Sequence, residues 1–372
     1  MSKETTWPDF RFTLEEISGA FGDSITVIPL LIGIGITTEA SLAHLLLFFA
    51  IFQIATGLFY RLPVPVEPMK ALAALVIAGT LSYKQAVAAG IVLGAMLLFT
   101  GTVGVMNWLD DFVPVSVVRG VQLGLAFILL KTSVDYVTKN IWLASIGIGI
   151  VILFLILKKK YGLPNISAFV VLILGAAIGI YFNGAPDIAL MKFPSFSFPS
   201  FTSFPRGIIL GALPQFFLSV GNAILATTLL FKDLLDRRVE PDRLSQSMGV
   251  MCIVSSLFGG FPACHGSGGL SGQYRFGART GGSNLILGTI YLGIALIAGS
   301  ATFLNFYPVS ALGALLVFIA LELASAGIKT DRWIVTLVVA ILSFFTNLAI
   351  GFIVGLVLAK ALDHVVGPGR EP

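Results

Sequence analysis

Charged residues are scarce in this chain. Asp, Glu, Lys and Arg together make up 11% of its 372 residues, whereas an ordinary soluble domain contains about a quarter. Hydrophobic residues make up 56%, which excludes a water-soluble globule, a disordered chain and a nucleic-acid-binding protein. The 40 glycines and 30 phenylalanines are typical of an all-α polytopic membrane protein whose helices pack closely and are broken in places.

Cysteine and histidine are also rare, with two and three residues. Cys252 and Cys264 lie in apolar or glycine-rich sequence, which favours buried packing residues over a disulfide or a metal pair. The sequence contains no phosphate-binding loop, no metal-ligand spacing and no serine–histidine pair with a third catalytic partner. We therefore expect no enzyme, no cofactor and no bound metal.

Residues 1–16 contain four acidic side chains and no short apolar core followed by a small-residue cleavage site. No cleaved signal peptide is therefore expected.

Long apolar stretches fill most of the chain, and crossing about 30 Å of hydrocarbon takes about 20 such residues as helix. Twelve stretches meet this requirement or come close to it, and two more open with prolines or glycines and are predicted to be broken spans. The twelve are residues 14–36, 40–59, 86–106, 114–130, 141–157, 164–182, 207–231, 245–260, 283–304, 308–326, 332–345 and 347–362, and the broken spans are residues 63–80 and 261–278. Fourteen spans are therefore predicted.

Basic residues are distributed unevenly between the two sides of this predicted bundle. With a cytoplasmic N-terminus, sixteen Lys and Arg residues lie on the inner side and five on the outer side, with Lys70 and Arg119 set aside as near or within spans. This bias favours that orientation. We expect a multi-pass protein of the cell membrane with both termini in the cytoplasm, and the net charge of +4 reflects topology.

The sequence pattern predicts two similar halves joined by a proline-rich connector. Pro114-Val115-Ser116 recurs as Pro308-Val309-Ser310, and Pro63 of the first broken span corresponds to Pro262 of the second. Seven spans per half is an odd number, so the second copy is inverted, which is the architecture of secondary transporters. The predicted organisation is a cytoplasmic N-terminus (1–16), a first seven-span repeat (17–183), an extracytoplasmic connector (184–206), an inverted seven-span repeat (207–362) and a short cytoplasmic tail (363–372).

The broken spans are predicted to place two helix N-termini inside the membrane. Residues 62–68 (LPVPVEP) cannot be helical because of their prolines, and a half-helix is predicted to begin at Pro68. Residues 261–270 (FPACHGSGGL) are predicted to form a second extended segment and half-helix, with three glycines that let the backbone approach a ligand closely. Each N-terminus carries about half a positive charge and several free N–H donors. The pattern therefore favours an anion held near the membrane midplane.

Ionisable side chains flank these N-termini. Lys70 opposes the dipole of its half-helix, a penalty that a bound anion would relieve, or it pairs with Glu67 at i,i+3. Glu67 is either a proton-coupling group or a cap of the half-helix. His265 could donate to an anion or carry a coupled proton, and the alternative is a packed histidine bonded to backbone.

Three further polar residues lie in the first and eighth spans, beside the predicted site: Asp23, Gln215 and Asn222. Polar residues in apolar spans usually face the interior of the bundle. Hydrogen bonding between helices is the alternative, and it is favoured for Gln215.

At these residues the sequence resembles the molybdate transporter family, which is related to the SulP sulfate permeases and more distantly to uracil permeases. The segments that carry the resemblance are residues 17–23 (ISGAFGD), 63–71 (PVPVEPMKA) and 258–281 (FGGFPACHGSGGLSGQYRFGARTG). The position of Glu67 is more often glutamine in the family pattern.

The resemblance implies a seven-plus-seven inverted repeat folded into a core and a gate domain, without the STAS domain of SulP permeases, and proton-coupled molybdate uptake. The predicted partners are molybdate, with sulfate or tungstate as related oxyanions, protons, the lipid bilayer and a second copy of the chain in a homodimer. From residues and resemblance together, the predicted anion-binding residues are Phe21, Asp23, Ser24, Met69, Lys70, Ala71, Gln215, Asn222, His265, Gly266, Ser267, Gly268 and Gly269, and the proton-coupling candidates are Glu67 and His265.

Three alternative functions remain open at this point. Sulfate shares the charge and shape of molybdate and is the alternative substrate. An anion channel of the same fold would give currents proportional to the driving force, without coupling. A nucleobase permease is expected to have a carboxylate pair on spans eight and ten, but this sequence has Asn222 and His265 there.

Overall fold

The computed structural model describes residues 8–106, 108, 114–162 and 166–366, most of which are helical. The helices of the first half are α1 (Leu14–Thr37), α2 (Leu42–Tyr60), α3 (Lys70–Ile77), α4 (Tyr83–Val103), α5 (Val115–Val137), α6 (Ile141–Tyr161) and α7 (Ser167–Asn183). Those of the second half are α8 (Phe201–Leu235), α9 (Pro241–Leu257), α10 (Ser267–Arg275), α11 (Gly282–Ile297), α12 (Val309–Gly327), α13 (Trp333–Phe345) and α14 (Leu348–Val366). Two short strands are β1 (Glu67–Pro68) and β2 (Ala263–Cys264).

Each of the fourteen predicted spans corresponds to one of these helices, and the two broken spans correspond to α3 and α10. Within the described ranges, α2, α4, α5, α6, α8 and α12 are each long and apolar enough to cross a membrane, and α7, α11 and α13 are shorter apolar helices. The predicted domain boundaries stay a prediction, and residues 1–7 and 367–372 of the predicted termini lie outside the described residues.

Four helices from each half form one bundle, which we call the core (α1–α4 and α8–α11). In it α4 packs along α9, α2 packs along α11, and α1 packs against α10. Glycines permit the closest approaches, since a Cβ atom at Gly94 of α4 would lie 2.8 Å from the carbonyl oxygen of Gly249 in α9. The core therefore consists of pairs that take one helix from each half.

The remaining helices, α5–α7 and α12–α14, form a second bundle, which we call the gate. Helix α5 packs against α12, α13 and α14, and α6 packs against α12. Gly327 at the end of α12 approaches Leu123 in the first half of α5, whereas Gly313 near the start of α12 approaches Val137 at the end of α5. Helices α5 and α12 are therefore antiparallel, as an inverted repeat requires.

Contacts between chain segments gather basic residues at one end of the molecule. The N–H of Gly281, just before α11, donates to the carbonyl of Arg61, just after α2, at 2.9 Å. The guanidinium of Arg275 at the end of α10 donates to the carbonyl of Gly162, which follows Lys158–Lys160 at the end of α6. We call this the basic end, and it agrees with the charge bias of the sequence.

The segment between the two halves lies across the other end of the core. Helix α11 starts at the basic end, and at its far end the N–H of Met191 donates to the carbonyl of Leu296 at 2.9 Å. In the same region His44 Nε2 lies 2.9 Å from the carbonyl oxygen of Lys192 and donates to it. The predicted connector therefore packs on the core at the end opposite the basic residues.

Candidate functional site

The extended segments that precede α3 and α10 pair with each other as a short antiparallel ladder. Glu67 pairs with Cys264 and Pro68 with Ala263, and all four residues are buried. The N–H of Met69 donates to the carbonyl of Pro262 at 3.0 Å. This pairing brings the first turns of α3 and α10 together inside the molecule.

Buried polar side chains bind the carbonyl groups of these extended segments. The amide of Asn284 in α11 donates to the Val64 carbonyl at 2.5 Å and to Gln53 Oε1 of α2 at 2.6 Å. The hydroxyl of Tyr83 in α4 donates to the carbonyl of Gly260 at 2.7 Å. Because the interior of a bilayer offers no water to irregular backbone, such partners are needed at this depth. They were not predicted from the sequence.

His265 is fully buried and forms hydrogen bonds that involve both extended segments. Its Nδ1 lies 2.8 Å from the carbonyl oxygen of Pro65, and its Nε2 lies 2.7 Å from the hydroxyl of Ser247 in α9. Since a carbonyl only accepts, Nδ1 carries a proton. Thr227 of α8 donates to the carbonyl of His265 at 3.2 Å. This is the geometry of a packed histidine, and a role toward an anion would require breaking one of these bonds.

The N-terminus of α3 is capped by a side chain from α8. The first hydrogen bond of the helix runs from the Ala73 N–H to the Met69 carbonyl, which leaves the N–H groups of its first turn without helical partners. Gln215 Oε1 accepts from the Ala71 N–H at 3.0 Å, and the Met69 N–H is bonded to Pro262. Two of the predicted anion donors, Met69 and Ala71, are therefore already engaged, because strand pairing and the Gln215 amide reach them first.

The N-terminus of α10 is more open. Its first hydrogen bond runs from the Leu270 N–H to the Gly266 carbonyl at 3.2 Å, so the N–H groups of Ser267, Gly268 and Gly269 lie at the free end of the helix. The hydroxyl of Ser267 lies 3.5 Å from Oδ1 of Asn222 in α8. These donors give this end of the site its anion-binding capacity.

Lys70 and Glu67 form an ion pair between the two half-helices. Lys70 Nζ lies 3.1 Å from Glu67 Oε2, and the side chains are 17% and 1% exposed. A Cβ atom at Gly266 would lie 2.2 Å from Glu67 Oε2, so the carboxylate rests directly on the backbone that opens α10. Glu67 therefore combines the predicted i,i+3 pairing with a favourable position for a negative charge at a helix N-terminus.

Glu322 of α12 also reaches this region, although it was not predicted from the sequence as a site residue. A Cβ atom at Gly268 would lie 3.7 Å from both Lys70 Nζ and Glu322 Oε1. A lone carboxylate in the apolar run Val309–Gly327 was the available signal, because ionisable residues within membrane spans are usually functional.

Among the cavities of the described residues, two lie between core and gate beside the half-helices. One of about 270 Å³ extends from Gly268 and Glu322 to the basic residues Lys158 and Arg275, and it is lined by α1, α6, α10 and α12. The other, of about 190 Å³, is lined by α3, α5, α8 and α13 and includes Lys131. Because α5 and α12 are antiparallel, the two cavities lie at opposite ends of the interface, with the half-helices between them.

The predicted residues of the first span are placed less centrally. Ser24 Oγ accepts from the Tyr291 hydroxyl at 3.0 Å in the contact with α11, and the Phe21 ring lies 5.8 Å from that of Phe169 in α7. Asp23 is part of α1, and its side chain lies outside the described residues. The structure thus gathers Lys70, Gln215, Asn222 and Gly266–Gly269 around the half-helices, whereas Ser24 packs away from them.

A family model described as "Molybdate transporter of MFS superfamily" matches residues 15–129 and 207–323. The chain belongs to the molybdate transporter family. The two matched stretches are of similar length and include the first helix of each half, in agreement with the predicted duplication. Membership of a transporter family, as opposed to an enzyme family, confirms both the resemblance and the expectation that this is not an enzyme.

Curated relatives match along most of their length. Molybdate transporter 2 of Arabidopsis thaliana is 34% identical, with 92% of this chain and 86% of that protein covered. Molybdate transporter 1 of the same plant is 32% identical, with 93% and 87% covered.

Solved structures show the fold. The transmembrane domain of the cyanobacterial bicarbonate transporter BicA gives a TM-score of 0.66 at 18% identity and covers 97% of this chain and 99% of that one. The murine anion transporter Slc26a9 in its inward-facing state gives a TM-score of 0.71 at 13% identity, with 98% and 74% covered. The predicted fold class is thereby confirmed.

Proposed function

We propose that this chain is a secondary-active transporter that imports molybdate together with protons by alternating access. The names of its curated relatives support the substrate. The observation that carries the proposal is the Lys70 ammonium, held between two half-helix N-termini in the interior of a membrane protein.

The residues around Lys70 suit a tetrahedral dianion. The free N–H groups of Ser267, Gly268 and Gly269 and the positive end of the α10 dipole attract negative charge. The Lys70 ammonium adds a full positive charge within reach of Gly268. Because the site lies in a low-dielectric interior, each of these attractions is stronger than in water.

Alternating access is supported by the arrangement of the two bundles. The half-helices belong to the core, whereas α5, α6, α12 and α13 of the gate line the two cavities that flank them. A shift of the core against the gate would enlarge one cavity while it closes the other. The basic end is proposed to face the cytoplasm of a cell-membrane protein with cytoplasmic termini, and a homodimer stays a prediction.

The test is transport by the full chain reconstituted in lipid vesicles. An inward proton gradient should drive molybdate accumulation above equilibrium, and Lys70→Ala should abolish it because the anion loses its counter-charge. Lys139→Ala, at an exposed loop position, is the matched control and should transport normally. Normal uptake by Lys70→Ala would rule out this site.

Calorimetry on the purified protein separates the alternatives. Tungstate should displace molybdate, while sulfate and uracil should compete weakly. Preferential sulfate binding would identify a sulfate transporter, and uracil binding would identify a nucleobase permease.

The channel alternative is tested by current measurements on the reconstituted protein. Molybdate currents that follow the driving force without uphill accumulation would identify a channel.

A further inference from the structure

Glu322 is the one charged residue of α12, and it projects from the gate toward the half-helices of the core. The other residues of this helix, Val309–Gly327, are uncharged. By the match of Pro114–Ser116 with Pro308–Ser310, its counterpart on α5 is Ile128, which lines the other cavity. The carboxylate is therefore present on only one side of the internal duplication.

The Glu322 carboxylate lies where an anion would bind. Its Oε1 and the Nζ of Lys70 are equally distant, at 3.7 Å, from the Cβ position of Gly268 in the first turn of α10. A carboxylate at this point faces both a helix N-terminus and an ammonium group, which are the two attractions available to a bound oxyanion.

Several charged groups face Glu322 from the elements around it. Lys70 of α3 and Glu67 of β1 lie on its core side, and Lys158 of α6 and Arg275 of α10 line the same cavity toward the basic end. The two carboxylates and Lys70 sum to one negative charge at the site. A dianion added to this arrangement would be repelled by both carboxylates.

The Glu67 side chain is buried away from solvent. It is 1% exposed, paired with Lys70 and packed against the backbone of Gly266. Glu322 is only partly buried, and it lines a cavity that leads to the basic end. Of the two, Glu322 has the route by which a proton can arrive and leave.

We propose that Glu322 is the proton-coupling residue and that its carboxylate is a second negative charge near Lys70, beside that of Glu67. In the empty transporter its carboxylate occupies part of the anion site. Binding of molybdate is accompanied by the uptake of one proton from solvent onto the Glu322 carboxylate, which removes one negative charge from the anion site. Release of the anion returns the proton to solvent. This inference depends on the proposed function.

The direct test needs no variant. Molybdate binding to the purified full chain is measured by calorimetry in two buffers of different ionisation enthalpy, which gives the number of protons taken up per anion bound. About one proton, with affinity falling about tenfold per pH unit toward alkaline pH, is expected. Binding without proton uptake would overturn this inference alone, whereas no molybdate binding at all would overturn the proposed function.

Two matched variants identify the residue. Glu322→Gln should bind molybdate with an affinity that no longer depends on pH, and it should exchange molybdate across vesicles but lose accumulation driven by a proton gradient. Glu67→Gln should keep the pH dependence of binding. The opposite pattern, with pH dependence lost in Glu67→Gln and kept in Glu322→Gln, would assign coupling to Glu67.

Discussion

At the residue scale, the geometry of the site depends on the absence of a side chain at Gly266. A Cβ atom there would lie 2.2 Å from Glu67 Oε2 and 2.5 Å from its Cδ, and Glu67 has little freedom to move because it is buried and paired with Lys70. The carboxylate, the ammonium and the start of α10 are therefore held in one arrangement by this glycine.

Gly266→Ala is expected to destabilise the protein by about 1–3 kcal/mol, because the added methyl group overpacks a buried and charged contact. Thermal unfolding in detergent measures the effect, and molybdate affinity should fall as well. Gly149→Ala in α6 is the control, since a Cβ atom there would meet nothing within 4 Å. Equal behaviour of the two variants would show that Glu67 does not rest on Gly266 as described.

The sequence identified several residues around the half-helices but not how each is used. Lys70 and Gln215 were predicted because they are polar residues in or near apolar spans. Lys70 is the first residue of α3, and the Gln215 side chain caps that helix. Glu322 was not predicted, because it is far in sequence from the proline and glycine motifs of the broken spans. His265 was recognised, yet only the folded chain brings Pro65 and Ser247 to its two ring nitrogens.

At the element scale, α8 is more than a membrane span, because it caps another helix. Gln215 lies between two π-helical segments, Gly207–Ala212 and Ser219–Leu225, of a kind that is frequent at functional sites. Its amide bonds Ala71 of α3 and Ser219 of its own helix. Movement of α8 would therefore be transmitted to the half-helix.

Gln215→Leu should cost about 1–3 kcal/mol of stability, because the buried N–H of Ala71 loses its acceptor. It should also weaken molybdate binding through the displaced first turn of α3. Gln85→Ala, which removes part of the capping box of α4 near the connector end, is a matched control that should lower the melting temperature slightly and leave affinity unchanged. A Gln215→Leu protein with wild-type affinity and melting temperature would contradict the capping role.

The broken spans were predictable as elements, and their pairing was not. Prolines before Pro68 exclude helix locally, Pro262 and Gly266 mark the second break, and the helices begin at Lys70 and Ser267. The ladder between β1 and β2 joins residues about two hundred positions apart, and no local pattern encodes it. The same holds for Asn284, whose bond to the Val64 carbonyl depends on the packing of α2 against α11.

At the scale of the whole molecule, the duplication explains why the half-helices have a cavity on each side. One is lined by α1, α6, α10 and α12 and the other by α8, α13, α3 and α5, which are the corresponding helices of the two halves. Ser325 in the first cavity matches Lys131 in the second by the alignment of Pro308 with Pro114. Inverted repeats thus build two half-pathways from one plan, and the charge bias of the sequence was enough to predict which end is basic.

Side-specific thiol labelling tests whether these half-pathways are joined. Ser325→Cys and Thr346→Cys place an exposed thiol in the first and the second cavity, and the native Cys252 and Cys264 are buried. A membrane-impermeant reagent should modify Ser325→Cys only from the basic end and Thr346→Cys only from the other end. Modification of both thiols from either side would mean a continuous pore, and a channel would replace the transporter. If each of these two thiols is labelled from one side only, and if bound molybdate slows the labelling of Ser271→Cys, the substrate lies between the cavities. This follows because Ser271 lies one turn beyond the free N-terminus of α10.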